Sequence, residues 1–211
     1  MGRAIGIKAF MEKDFDVWEV EGAWKSFCGK PEKNFSMVVY GDSGNGKTSF
    51  CIQLTKYLAK FTKVFYNSFE EGHSKTIQDA LYRENMMEVD GRVMFGDREN
   101  FDEVVGRLKK RNSQRVCVLD SRDYMSLTTE QFKKLIELFP RKSFIVVCWS
   151  KSGKPRGEHG KAIKYMADIK VEVHNYIAIP VSRFGGNCDY VVWAEGAKKK
   201  GKAVSSQMGL F

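Results

Sequence analysis

Residues 41–48 read Gly-Asp-Ser-Gly-Asn-Gly-Lys-Thr and fill every fixed position of the G-x-x-x-x-G-K-[ST] pattern. Gly41, Gly44 and Gly46 allow the tight bend that points backbone N–H groups at phosphate oxygens, and the dipole of a following helix adds attraction. Asp42, Ser43, Asn45 and Ser49 complete the cradle. Lys47 would reach the β- and γ-phosphates, and Thr48 would set its hydroxyl on Mg²⁺. The chemistry implied is binding of ATP with Mg²⁺.

Hydrolysis asks for two further acids. Val116 to Asp120 (VCVLD) is an apolar run ending in a carboxylate. Behind a phosphate loop, such an acid holds Mg²⁺ through water, so Asp120 joins Thr48 as a metal residue. A carboxylate must also orient and polarise the attacking water near the γ-phosphate. The tract Asn67-Ser68-Phe69-Glu70-Glu71-Gly72 closes another apolar run, and Glu70 is favoured over Glu71 for that role. Glu71-Gly72 also reads as a charged helix-entry turn. His159 has no second ligand at metal-binding spacing, so no zinc site is assigned.

These residues need a scaffold that brings strand ends together. SMVVY (36–40) is a short apolar strand before the loop. After it, 47–60 carries Phe50, Ile52, Leu54, Tyr57 and Leu58 roughly at helical spacing. Further strands are expected at 63–67, 92–95, 115–120, 143–149, 169–173, 176–182 and 189–194. Helices are expected at 73–85, 99–111 and 128–138, the last capped within Thr128-Thr129-Glu130-Gln131. Strands alternating with helices imply an α/β fold whose mainly parallel central sheet is flanked by helices on both faces. The last two runs, close together around Gly185-Gly186-Asn187, imply a C-terminal antiparallel hairpin, and Pro180 implies an edge position or a bulge. The chain divides into a lead-in segment at 1–35, a core at 36–194 and a flexible basic tail at 195–211.

The chain has 211 residues and a formal net charge of +9, a length suited to one α/β domain. No apolar run reaches the length of a membrane span, and the first residues lack the apolar core of a signal peptide, so no membrane partner is expected. Five cysteines form no C-x-x-C pair; Cys51, Cys117 and Cys148 lie in apolar stretches and read as reduced core thiols of a cytoplasmic protein. Residues 150–170 hold six Lys/Arg against two acids, and residues 194–211 hold four Lys against one Glu, so the two segments carry +4 and +3. Charge so concentrated points to a polyanion partner, with a solvated basic surface as the plainer reading.

In their order the motifs resemble the RecA superfamily of P-loop ATPases, particularly its RadA-like and DnaB-like helicase branches. Ser68-Phe69-Glu70-Glu71 is similar to the family's serine tract with one or two glutamates. Cys148-Trp149-Ser150-Lys151-Ser152-Gly153 resembles a strand end entering a basic, glycine-rich loop. Lys164-Tyr165-Met166-Ala167-Asp168 is similar to the segment leading into a strand, and IPVSRFG (179–185) resembles the late strand ending in Lys-x-Arg-Phe-Gly. The similarity spans about residues 20 to 194. It implies a RecA-like core that assembles into a ring or filament and hydrolyses ATP at subunit interfaces. It makes Arg183 the candidate arginine finger toward a neighbour's γ-phosphate, with a surface arginine on an edge strand as the alternative. It also makes 150–161 a flexible DNA-contacting loop. Lys151, Lys154, Arg156 and Lys161 would lie along phosphates of single-stranded DNA, with no aromatic in the tip to stack on bases. Two positions depart from the pattern and bear on the strength of hydrolysis. Val181 stands where the family has lysine, and Cys148 or Ser150 stands where it has a Gln or His sensor.

The chain ends Gln207-Met208-Gly209-Leu210-Phe211. This pentapeptide resembles the motif by which bacterial replication proteins dock on the sliding clamp. Met208, Leu210 and Phe211 would fill an apolar groove and Gln207 would bond at its edge; a frayed amphipathic end is the alternative. The expectation is a DNA-binding ATPase of replication, recombination or repair in a bacterial or phage-infected cell. A different class, an ATP-dependent switch acting on a protein partner with weak hydrolysis, stands beside it. A small-molecule kinase would leave the late arginine strand and the terminal peptide without a role.

Overall fold

The structure, a computed structural model, describes residues 4–151 and 153–199; Gln207, Met208, Leu210 and Phe211 lie outside them. The apolar runs become β1 (Ser36–Gly41), β2 (Val64–Ser68), β3 (Val93–Asp97), β4 (Val116–Asp120) and β5 (Ser143–Lys151). They are parallel to one another in the order β3-β2-β4-β5-β1. β6 (Lys154–Pro155) folds back on the end of β5, and β7 (Ile169–His174) adds in parallel beside β1. β8 (Ile177–Ser182) and β9 (Tyr190–Val191) complete the sheet as an antiparallel extension. β9 is shorter than the expected 189–194, because Val192 turns inward and its N–H donates to the Tyr176 carbonyl at 2.9 Å. β9 pairs β8 only at Ile177 and Ala178, so Pro180 falls in an open edge stretch where no N–H is needed.

The helices are α1 (Ile7–Met11), α2 (Gly22–Cys28), α3 (Lys47–Ala59), α4 (Lys75–Arg83), α5 (Phe101–Lys109), α6 (Arg122–Met125), α7 (Thr129–Leu138) and α8 (Gly157–Met166). α7 starts where its cap was expected: Gln131 N–H donates to Thr128 Oγ1 at 3.2 Å, and Thr128 N–H donates to Gln131 Oε1 at 3.0 Å. Asn100 and Glu103 cap α5 in the same reciprocal way. Alternate residues of the parallel strands face opposite sides. Met37, Val39, Tyr66, Val118 and Ile145 pack under α3, while Val38, Phe65, Leu119, Phe144 and Val146 pack against α5 and α7. Burial on both faces is why these strands read as unbroken apolar runs.

Residues read as lead-in are built into this body from Trp18 onward. α2 sends Trp24 and Phe27 into the core, where Trp24 stacks on Tyr190 at 4.5 Å and Phe27 meets Phe50 at 5.4 Å. Two loop expectations are corrected. The segment 150–161 is a β5–β6 hairpin followed by α8, so Lys161 lies within a helix whose buried Ile163 anchors it. The first residues of the expected flexible tail, through 199, belong to a helical segment at 194–199, and Ala197 N–H donates to the Trp193 carbonyl at 3.0 Å. Cys51, Cys117 and Cys148 are free and buried, and burial pushes the Cys148 thiol up to about 12. Among the described residues, no helix is long and apolar enough to cross a membrane.

Phe27 is fully buried between α2 and α3. Phe27→Ala is expected to cost roughly 3–5 kcal/mol of stability, read as a lower denaturation midpoint in urea.

Candidate active site

The parallel ladder sets the carboxyl ends of β1, β2 and β4 along one side of the sheet, with Ser68 and Asp120 in register. β1 ends at Gly41, where a Cβ would stand 2.2 Å from the Val173 carbonyl oxygen of β7. The loop closes at Gly46, whose φ of 97° leads into α3 and whose missing Cβ leaves room for the Tyr176 ring. Asn45 braces the loop from behind, accepting from Asn175 N–H at 3.0 Å and donating to the Asp42 carbonyl at 3.3 Å. Lys47 is nearly buried, its ammonium donating to the carbonyls of Gly41 at 2.9 Å and Asp42 at 3.1 Å.

Asp120 closes β4 inside the site and accepts a hydrogen bond from the Tyr66 hydroxyl of β2. Burial pushes its carboxyl up to about 6; the Tyr66 bond opposes that shift, and the neighbouring Glu70 charge adds to it. The turn after β2 is clamped to the same strand end, with Glu70 N–H donating to the Asp120 carbonyl at 3.1 Å. The two glutamates then part. Glu71 accepts from the Thr76 hydroxyl at the start of α4, and its carbonyl accepts from Arg98 at 2.9 Å, so it serves the helix-entry turn. Glu70 points to the end of β5 and accepts from the Trp149 indole N–H at 3.2 Å.

Ser43, Gly44, Gly46, Lys47, Thr48, Ser49, Glu70, Glu71 and Asp120 line one cavity of about 750 Å³, within the usual range for a small-molecule site. Gly41, Asp42 and Asn45 shape the loop without lining the cavity. Its opposite wall is Arg83, Glu84, Tyr176, Val192 and Trp193, which sequence reasoning missed. Arg83 donates to Ser49 Oγ at 3.4 Å, and Tyr176 and Trp193 meet edge to face at 4.9 Å. No local pattern marks these residues, since they arrive from separate elements. A lysine ammonium, a threonine hydroxyl, the buried Asp120 carboxylate and the half-buried Glu70 beside a positive-φ glycine loop form a donor set that fits a polyphosphate and a hard divalent cation.

Other expected residues lie elsewhere. Ser182 pairs with Ile169 at the start of β7, so Arg183 sits at the opposite end of the sheet from its own cavity. Its exposed guanidinium pairs with Asp168 at 3.1 Å. Lys151 and Lys154 face each other across the hairpin, Arg156 precedes α8, and Lys161 lies on it, all exposed. The surroundings are not free of aromatics: Arg156 stands over the Trp149 ring at 5.9 Å, and Tyr124 meets that ring at 5.1 Å. Cys148, weighed as a strand-end sensor, is fully buried, while Trp149 beside it reaches Glu70.

No protein-family model matches this sequence, and none of the curated proteins does either. Among solved structures it is similar to a KaiC-like protein from the hyperthermophilic archaeon Pyrococcus horikoshii OT3. The two share 18% identity and a TM-score of 0.53 over 72% of this chain and 79% of that one. The likeness shows the fold: RecA-like, with a mainly parallel sheet between helices and an antiparallel C-terminal extension.

Folding raises the Asp120 pKa, so the stability tied to its proton is fully present below about 3.8 and is lost as pH rises through about 6. Asp120→Asn keeps an acceptor for Tyr66 and removes the buried charge. In EDTA, thermal denaturation is expected to show it more stable than the parent by roughly 1–3 kcal/mol at pH 8, and by about half as much at pH 5.

Proposed function

We propose that this chain is a DNA-binding ATPase of the RecA type. It acts in DNA replication, recombination or repair and hydrolyses ATP at the interfaces of a ring or filament of its own copies. The observation that carries the reading is the meeting of Lys47, Thr48, Glu70 and Asp120 on one cavity at the carboxyl ends of the parallel strands. Bound ATP with Mg²⁺ supplies the transferable phosphoryl group and the counter-charge for its departure. The amides of the 41–48 loop and the Lys47 ammonium bind and orient phosphate oxygens, and Thr48 and Asp120 hold the cation. Glu70 orients a water and accepts its proton. Arg183 lies far from its own cavity and is exposed, which supports a role toward a neighbouring copy. The exposed Lys151, Lys154, Arg156 and Lys161 support contacts to the phosphates of single-stranded DNA. The terminal peptide would recruit the assembly to a sliding clamp.

One observation favours the second reading, a switch acting on a protein partner with weak hydrolysis. One oxygen of Glu70 is already engaged by Trp149, which lowers its capacity to polarise water. Steady-state ATP hydrolysis with and without single-stranded DNA, at two salt concentrations, separates the two. Stimulation that fades with salt is the expected result; turnover indifferent to DNA moves the assignment to the switch.

Three substitutions test the roles. Lys47→Ala is expected to abolish nucleotide binding. Glu70→Gln is expected to bind ATP normally and to lose about 10²–10⁴-fold in turnover; unchanged turnover would shift the role to Glu71. Arg183→Ala is expected to lose roughly 10³-fold with ATP binding intact. Turnover should return in mixtures with Lys47→Ala subunits, where intact arginines face intact cavities; mixtures that stay inactive would exclude action across an interface.

A further inference from the structure

We infer that Tyr124, Trp149 and Arg156 form a stacking site for one unpaired nucleobase, and that Trp149 couples filling of that site to Glu70. The inference rests on the ATPase reading above and names the device by which nucleic acid would govern it. A second cavity, of about 360 Å³, lies beside the nucleotide cavity and is lined by Arg122, Asp123, Tyr124, Trp149, Arg156 and Gly157. Tyr124, 48% exposed, stands at 84° to the Trp149 ring with centroids 5.1 Å apart. The pair forms a corner that offers a planar base one ring face and one ring edge. Arg156 lies 5.9 Å from the Trp149 ring, at the outer limit of a cation–π contact, and can yield that face while its charge meets the adjoining phosphate.

The one carboxylate in this cavity does not repel an anion. Asp123 is ion-paired with Arg122, and its Oδ2 accepts from Trp149 N–H at 2.7 Å. The Trp149 carbonyl in turn accepts from Arg156 N–H at 2.7 Å. The backbone of Trp149 is therefore pinned on both sides, and an arriving base can displace only its side chain. That side chain links the two cavities: its ring lines the second and faces Tyr124, and its indole N–H holds Oε2 of Glu70, which lines the first. In this state the indole occupies an acceptor that water polarisation requires. A base stacked on the ring turns the indole, breaks the bond and frees Glu70. Trp149 is thus a positioning residue, and the ligand is single-stranded, because a base within a duplex offers no free face.

The test uses the whole chain with fluorescently labelled oligo-dT and an abasic strand of equal length and charge, read by anisotropy. Oligo-dT is expected to bind roughly tenfold tighter than the abasic strand, and Tyr124→Ala to remove most of that difference. Equal binding of the two strands by the parent overturns the stacking site. Trp149→Phe keeps a ring and deletes the N–H. Its ATP turnover without DNA is expected to rise to within about twofold of the parent's DNA-stimulated rate, with little further response to DNA. Stimulation as large as the parent's, or loss of turnover altogether, overturns the coupling while leaving the ATPase reading intact. Parental turnover that ignores DNA overturns the DNA-dependent ATPase itself, and the coupling with it.

Discussion

β1, β2, β4 and β5 each carry a hydrogen-bonded neighbour on both edges and packed side chains on both faces. Buried backbone groups must be paired, and parallel strands cannot be joined by tight turns, so the chain crosses between them over the faces of the sheet. Every carboxyl end then emerges on the same side. Residues 41–48, 70 and 120, remote in sequence, become neighbours only through this ladder. The site is therefore a property of strand register before it is a property of any side chain.

The same burial sets the electrostatics. Lys47 and Asp120 sit where the dry core meets the cavity, so charge there is strong and costly to leave unmatched. The raised Asp120 carboxyl and its Tyr66 bond are two responses to that cost. They make the position better suited to a cation than to an isolated anion. Partners also divide the two adjacent glutamates: Glu71 is tied into the start of α4, while Glu70 is left to face the cavity and Trp149.

The rim beyond β5 is more ordered than a basic, glycine-containing stretch suggests. Pro155 is buried, Gly160 packs against it, and Ile163 enters the core, so Arg156 and Lys161 are presented from an anchored strand end and helix. This placement brings Arg156 over Trp149. Arg183 is also fixed, but by the reversal of β8, which carries it to the end of the sheet away from the phosphate loop. Within one copy the two cannot meet.

The phosphate loop was legible in the sequence because its requirements are local: glycines for bends, a lysine and a threonine at set distances. The strands were legible because burial on both faces leaves apolar runs, and the start of α7 because its cap lies within four residues. The role of Trp18, Trp24 and Phe27 in the core, the helix beneath 157–166, and the partners Tyr66 to Asp120 and Trp149 to Glu70 were not. Each depends on which strands lie side by side and in what register, a long-range choice made by the packing of the whole sheet. Local backbone chemistry is written in neighbouring residues, while the partner of a side chain is decided by residues 50 or more positions away, as the 54- and 79-residue separations of those two pairs show.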